Sequence, residues 1–338
     1  MNLKDKEKTE RLYKTFDRNF RLTRLYAAYL EEFPEVIKAD MITALTEDGA
    51  LTKEEAIVGL LTEIFGLDFD KVEDRILIRD YITPSVRLMK PEKYLNNPYY
   101  RNIKIPNTVD GEWEFRWEEY APYRAVIVGD MEISRDFSEF APLGFFEEAF
   151  RFPAVLEGGN EWMTLTPVDL DTSDEAIEAA CGKVVTFGLG LGYYAYMVSE
   201  KQDVESITVI EKSPDVIRLF EKYILPQFSH PEKVRVICAD AFEYAEQDMP
   251  CEHYDLAFVD TWRDASDGAP MYARMKKLEK LNTGTRFLYW IENFLISRRR
   301  AICFGELCDK LDSGAPDAPE SYEEFEKRLK DYGSCKRI

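Results

Sequence analysis

The stretch Val184-Val185-Thr186-Phe187-Gly188-Leu189-Gly190-Leu191-Gly192 decides the fold. A short apolar run ends in three alternating glycines, and residues 193–200 then read as a helix. Strand, glycine loop and helix open a βαβ unit, and glycine lets the backbone approach a ligand without side-chain clash. Spacing narrows the ligand. A dinucleotide fingerprint needs a small residue five positions after its first glycine, where helix packs on strand. That position is Tyr193, and the third glycine comes one residue early. No lysine follows the glycines, which excludes a phosphate-cradling P-loop. A ligand without pyrophosphate fits, and the missing lysine suits a cationic sulfonium.

Working outward, apolar strands are predicted over residues 184–187, 206–210, 234–237, 255–259 and 286–291. Helices are predicted between them, over 193–200, 214–228, 242–248 and about 270–281. Apolar strands alternating with helices give a parallel sheet covered on both faces. Right-handed crossovers make it a doubly wound, Rossmann-like α/β sheet, with ligands at the carboxyl ends of its strands.

Three carboxylates are expected at those ends. Glu211 closes the second strand and is followed by Lys212. From that tip it can accept hydrogen bonds from two ribose hydroxyls, each charge-assisted bond being worth roughly 1.5–3 kcal/mol. Asp240 closes the third strand, where it suits an adenine amino group while Ala241 and Phe242 line the ring. The same aspartate equally suits a helix N-cap. Asp260 closes the fourth, in Tyr254-Asp255-Leu256-Ala257-Phe258-Val259-Asp260-Thr261-Trp262, where the reacting centre would lie.

These residues together resemble the class I S-adenosylmethionine (SAM)-dependent methyltransferase superfamily. The likeness runs from about Val184 to Glu292, about a third of the chain, and is greatest toward its spermidine synthase-like branch, whose fourth strand also ends in an aspartate. The resemblance implies SAM as cofactor. It implies Gly188, Leu189, Gly190, Gly192, Glu211, Lys212, Asp240, Ala241 and Asp260 as cofactor-binding residues, with Asp260 also the catalytic candidate. The acceptor is a small molecule or a protein. Two departures keep other functions open. Thr186 stands where the family usually has the acidic anchor for the methionine amino group, which leaves a non-catalytic SAM-binding protein in play. Leu191 stands where spermidine synthases commonly carry aspartate, which counts against an aminopropyltransferase. No Asn-Pro-Pro-aromatic tetrad follows the fourth strand, so methylation of base or glutamine amines has no support. The family's closing antiparallel hairpin is hard to find after Ile291, where residues 294–311 and 322–332 read as helices.

The N-terminal half resembles no named family. Residues 1–90 read as helical, with Leu12, Phe16, Phe20, Leu22, Leu25, Tyr26 and Tyr29 at helical spacing and Pro34 as a stop. The aromatic stripe Tyr13, Phe16, Phe20 and Tyr26 is assigned to core. Thr52-Lys53-Glu54-Glu55 forms a capping box that opens a helix stopped by Gly66. Residues 91–171 are rich in prolines and aromatics, with strand-like runs at residues 113–117 and 125–128, and suit a substrate-selecting region. Trp162-Met163-Thr164, after the Gly158-Gly159 hinge, can lie over the cofactor or end a packed strand. Thr172-Ser173-Asp174-Glu175 suggests a second capping box, with its helix ending near Gly182. The resulting organisation is four consecutive segments: 1–90 helical, 91–171 mixed, 172–312 SAM-binding, and 313–338 a helical tail.

Composition sets the outer bounds. At 338 residues with 45% hydrophobic and 32% charged side chains, the chain can bury a substantial core. A net charge of −20 argues against broad nucleic-acid binding. Arg298-Arg299-Arg300 reads as complementing a helix end. Six scattered cysteines without a CxxC pair suit a reducing cytoplasm, and those in apolar runs, such as Cys238, read as small buried hydrophobes. Two histidines and no cysteine cluster argue against zinc. Residues 1–6 lack the apolar stretch of a signal peptide, and no apolar run is long enough to span a bilayer.

Overall fold

A computed structural model describes residues 3–335; the first two residues of the N-terminal reading lie outside it. Two compact units emerge, each drawn from separated stretches. One takes residues up to Pro91, Tyr120–Phe150 and residues from Ile296 on; the other takes Glu92–Glu119 and Arg151–Leu295. Sequence analysis instead expects four consecutive segments. Sheet pairing accounts for the difference, since hydrogen-bonded partners lie far apart in the chain.

In the first unit, the helix Leu3–Glu32 ends just before Pro34, and Thr52 and Glu55 make the expected reciprocal cap of the helix Lys53–Ile64. Leu22, Tyr26, Tyr29, Ile57, Leu61 and Tyr81 share one core. A second core gathers Leu12, Phe16, Phe304, Phe325 and Leu329, with Phe16 stacked on Phe304 at 4.0 Å between ring centroids. Phe20 departs from the core assignment. It is 41% exposed, its ring tilted against those of Phe16 and Phe304 at 6.2 and 6.4 Å between centroids. The arginine triplet also departs from expectation, because its helix, Glu292–Ser313, runs on well past it. Arg299 is instead buried, with its guanidinium over the Tyr332 ring at 4.6 Å and Nε donating to the Tyr332 carbonyl at 3.1 Å.

The second unit holds two sheets. Strands are numbered here within this unit. A four-stranded sheet places β1 (Thr108–Asp110), β2 (Trp113–Tyr120), β3 (Phe150–Glu157) and β4 (Asn160–Thr164) in that order, with β1–β2 and β3–β4 antiparallel. A five-stranded sheet comprises β5 (Gly182–Phe187), β6 (Val204–Glu211), β7 (Val234–Cys238), β8 (Leu256–Val259) and β9 (Arg286–Tyr289). Its order is β7-β6-β5-β8-β9, and every pair is parallel. This is the expected doubly wound α/β sheet, with order reversing at β5. The first glycine loop leaves from that switch point, where such sheets bind ligands.

Helices α1 (Pro167–Ala179), α2 (Tyr193–Ser199), α3 (Pro214–Leu219), α4 (Ala241–Gln247) and α5 (Ala265–Leu278) belong to the same unit. The start of α1 corrects the sequence expectation. Thr166 and Asp169 cap each other reciprocally with Pro167 at the first helical position, whereas Thr172 lies inside the helix and bonds back to the Val168 carbonyl. The segment 92–119 reaches α2 through hydroxyls: Asn97 donates to Tyr193 Oη at 3.1 Å, Asn102 to Tyr196 Oη at 2.8 Å, and Tyr99 to the Leu191 carbonyl. Tyr193, too large for a dinucleotide turn, is thus a packing residue.

Cys238 is exposed rather than buried, because β7 is an edge strand whose residues are only partly covered. Cys181 and Cys251 are exposed too, while Cys303 and Cys335 are buried. No helix among the described residues is long and apolar enough to cross a membrane.

Candidate functional site

At the carboxyl ends of the parallel strands lies a cavity of about 620 Å³, within the usual range for a small-molecule site. Gly188, Leu189, Gly190, Glu211, Lys212, Asp240, Ala241 and Asp260 all line it. Gly192 does not. Its φ is +74°, and a Cβ there would stand 2.5 Å from the Phe220 ring, so it is glycine for packing. Gly188 (φ +99°) has a structural reason as well, since a Cβ would fall 1.9 Å from the Asp260 carbonyl oxygen. At Gly190 the neighbour is the Met163 thioether, 2.6 Å from the same construction. Only that glycine exposes its backbone toward a movable side chain on the cavity wall.

Glu211 is 8% exposed and anchored by backbone. The Leu189 N–H donates to Oε2 at 3.2 Å and the Ser213 N–H to Oε1 at 2.8 Å. Each oxygen keeps a further lone pair for a ligand hydroxyl. The carboxylate therefore ties the glycine loop to the β6 tip. Asp240 caps α4 through Oδ1, which accepts from Phe242 N–H at 2.9 Å and Glu243 N–H at 3.1 Å. Its Oδ2 is left over. Both roles considered for this residue are therefore compatible.

Asp260 differs from these two. Among the described residues no hydrogen-bond donor meets its carboxyl; only its backbone N–H is engaged, to the Phe187 carbonyl at 2.8 Å. Burial, then the charges of Asp169 and Glu211, push its pKa up to about 8. Asp169 is raised to about 6 by burial, against the opposing pull of two bonds from Thr166 at 2.7 and 2.8 Å. Glu161 is raised by burial and by Glu118, with Arg116 partly offsetting. All three carboxyls line the cavity.

Asp169 and Glu161 were not found by sequence reasoning. A faint signal existed for Asp169, since Thr166-Pro167-x-Asp169 is itself a helix-start pattern. The β4 residues Trp162, Met163 and Thr164 line the cavity and also form the end of their strand. Leu191 and Thr186 lie elsewhere. Leu191 is buried outside the cavity wall, and Thr186 is buried mid-strand between Val209 and Phe258. Among the described residues no group of three or more His, Cys, Asp or Glu side chains is placed to hold a metal ion.

No known family matches the sequence, and no curated protein is similar to it. A crystal structure of spermidine synthase from Thermotoga maritima is similar with a TM-score of 0.31 and 14% identity, covering 59% of this chain and 72% of that one.

Proposed function

We propose that the chain is a SAM-dependent methyltransferase acting on a small molecule or a protein. One observation supports this most: Glu211, Asp240 and Asp260, at the tips of three strands, converge with Gly188 and Gly190 on a single cavity. The spacing suits an adenosine, with Glu211 toward the ribose hydroxyls and Asp240 Oδ2 toward the adenine amino group. Asp169 and Asp260 supply the negative field that Thr186 does not, suited to an amino group or a sulfonium.

When bound, SAM supplies a methyl group open to in-line displacement. The chain's own contribution is position. The glycine loop fixes the adenosine end, and holding the acceptor in line contributes about 7–11 kcal/mol through proximity. Asp260 takes a proton from the acceptor where one must leave, and does so only in its ionised form, so turnover rises as pH approaches 8. A cation in the cavity favours that ionised form.

Calorimetry with S-adenosylhomocysteine (SAH) and 5′-methylthioadenosine tests the cofactor reading. Micromolar binding of both supports it. Binding of neither removes it, and a marked preference for decarboxylated SAM over SAM would favour aminopropyl transfer instead.

A further inference from the structure

The loop between β8 and α5, residues 260–264, holds two polar atoms that nothing above uses. The Thr261 hydroxyl and the Trp262 indole N–H are sealed from solvent, and among the described residues neither has a hydrogen-bond partner. Buried polar groups are nearly always paired, so two unpaired neighbours in one short loop call for a cause. Both residues line the cavity, which suggests a ligand as the missing partner. An indole N–H can only donate, so the partner must carry an acceptor atom. The next residue, Arg263, also lines the cavity. Its side chain is 86% exposed and meets only Asp267, at 3.6 Å. That carboxylate is already occupied by the backbone N–H groups of Arg263 and Asp264, at 3.2 and 3.1 Å.

Hydroxyl, indole N–H and guanidinium in succession form a set suited to an anionic oxygen. We propose that Thr261, Trp262 and Arg263 form a carboxylate-recognition site on the cavity wall. The proposal rests on the cofactor reading for the origin of that carboxylate, which belongs either to the methionine part of SAM or to the acceptor. Both donors are sealed behind the cavity surface, so a ligand reaches them only if the loop shifts against the bonds from the Arg263 and Asp264 N–H groups to Asp267 that hold it.

Indole ¹⁵N–¹H NMR tests the site directly. The chain has five tryptophans, and Trp262→Phe assigns the resonance of interest. SAH is expected to move it downfield, with methylthioadenosine leaving it in place, if the carboxylate is the cofactor's. If it is the acceptor's, SAH leaves it unmoved, and the shift comes from a panel of amino acids and simple carboxylic acids added with SAH. In either case Thr261→Val, which keeps the side-chain shape, weakens binding of the active carboxylate at least fivefold by calorimetry. A resonance that no carboxylate moves overturns the proposal. Failure of both adenosine ligands to bind, with the resonance still moved by a carboxylate, overturns the cofactor reading and leaves the loop site standing.

Discussion

Replacing Asp260 with asparagine should stabilise the protein, and more so as pH rises. The carboxyl titrates at about 8 in the folded chain against an ordinary 3.8, because burial and then Asp169 and Glu211 oppose its charge. The folded state therefore holds the proton more tightly than the unfolded state does. Stability linked to this group is fully present below 3.8 and is lost as pH climbs toward 8. Asparagine keeps the shape and never ionises. From pH 5 to pH 8 three units of titration separate the two proteins, which at 1.36 kcal/mol per unit is an upper bound of roughly 4 kcal/mol. Water entering the cavity reduces this, and about half is a fair expectation. Urea midpoints of wild type and Asp260→Asn, measured at pH 5, 7 and 9, give the comparison. The gap should widen from pH 5 to pH 7, widen again toward pH 8, and then level off. A gap that stays constant across that range would refute the claim that Asp260 sits partly buried beside like charges without a compensating donor.

Three further expectations follow from the same geometry. If a sulfonium binds against ionised Asp260, SAM affinity should rise about tenfold or more from pH 6 to pH 8, and Asp260→Asn should flatten the profile; calorimetry across pH reads both. Glu211→Gln keeps one acceptor oxygen for the loop but loses the charge toward the ribose, so methylthioadenosine should bind at least tenfold more weakly, about 1.5–3 kcal/mol, while the circular dichroism spectrum is unchanged. Gly190 and Gly192 both hold left-handed φ, +52° and +74°, so either alanine is strained, but Gly192→Ala should cost about 1–3 kcal/mol more, because its Cβ meets the Phe220 ring while that of Gly190→Ala meets the movable end of Met163; thermal melts in which Gly190→Ala proves the more damaging would contradict this.

The parallel sheet was legible because its signals are local. Each strand is an apolar run bounded by glycine, proline or a carboxylate, and the three tips Glu211, Asp240 and Asp260 follow from where those runs stop. The cavity's other wall was legible only in part, through Trp162-Met163-Thr164. Glu161 and Asp169 reach it because β4 and α1 lie beside the strand tips, and no spacing in the chain records that proximity. The position of α1 was missed for a different reason. Two capping patterns lie six residues apart, and Pro167, which presets the backbone of the first turn, selects the earlier one. Cys238 shows the limit of composition: an apolar run on an edge strand looks the same in sequence as one in the middle of a sheet.

The glycines illustrate how a motif and its cause can separate. Gly188 answers to a carbonyl oxygen on the neighbouring loop and Gly192 to a phenylalanine ring, so two of the three would be required whether or not a nucleoside bound here. Gly190 adds a third structural cause, a left-handed φ of +52°, with the flexible Met163 thioether over it. The weight of the functional argument therefore rests on the carboxylates. A glutamate held by two backbone N–H groups with lone pairs to spare, an aspartate that caps its helix with a single oxygen, and a third whose carboxyl meets no donor among the described residues are the groups on which the proposed adenosine site depends. Substituting Glu211 should therefore affect adenosine binding far more than substituting Gly192, and the opposite ranking would show that the loop, and not the carboxylates, carries recognition.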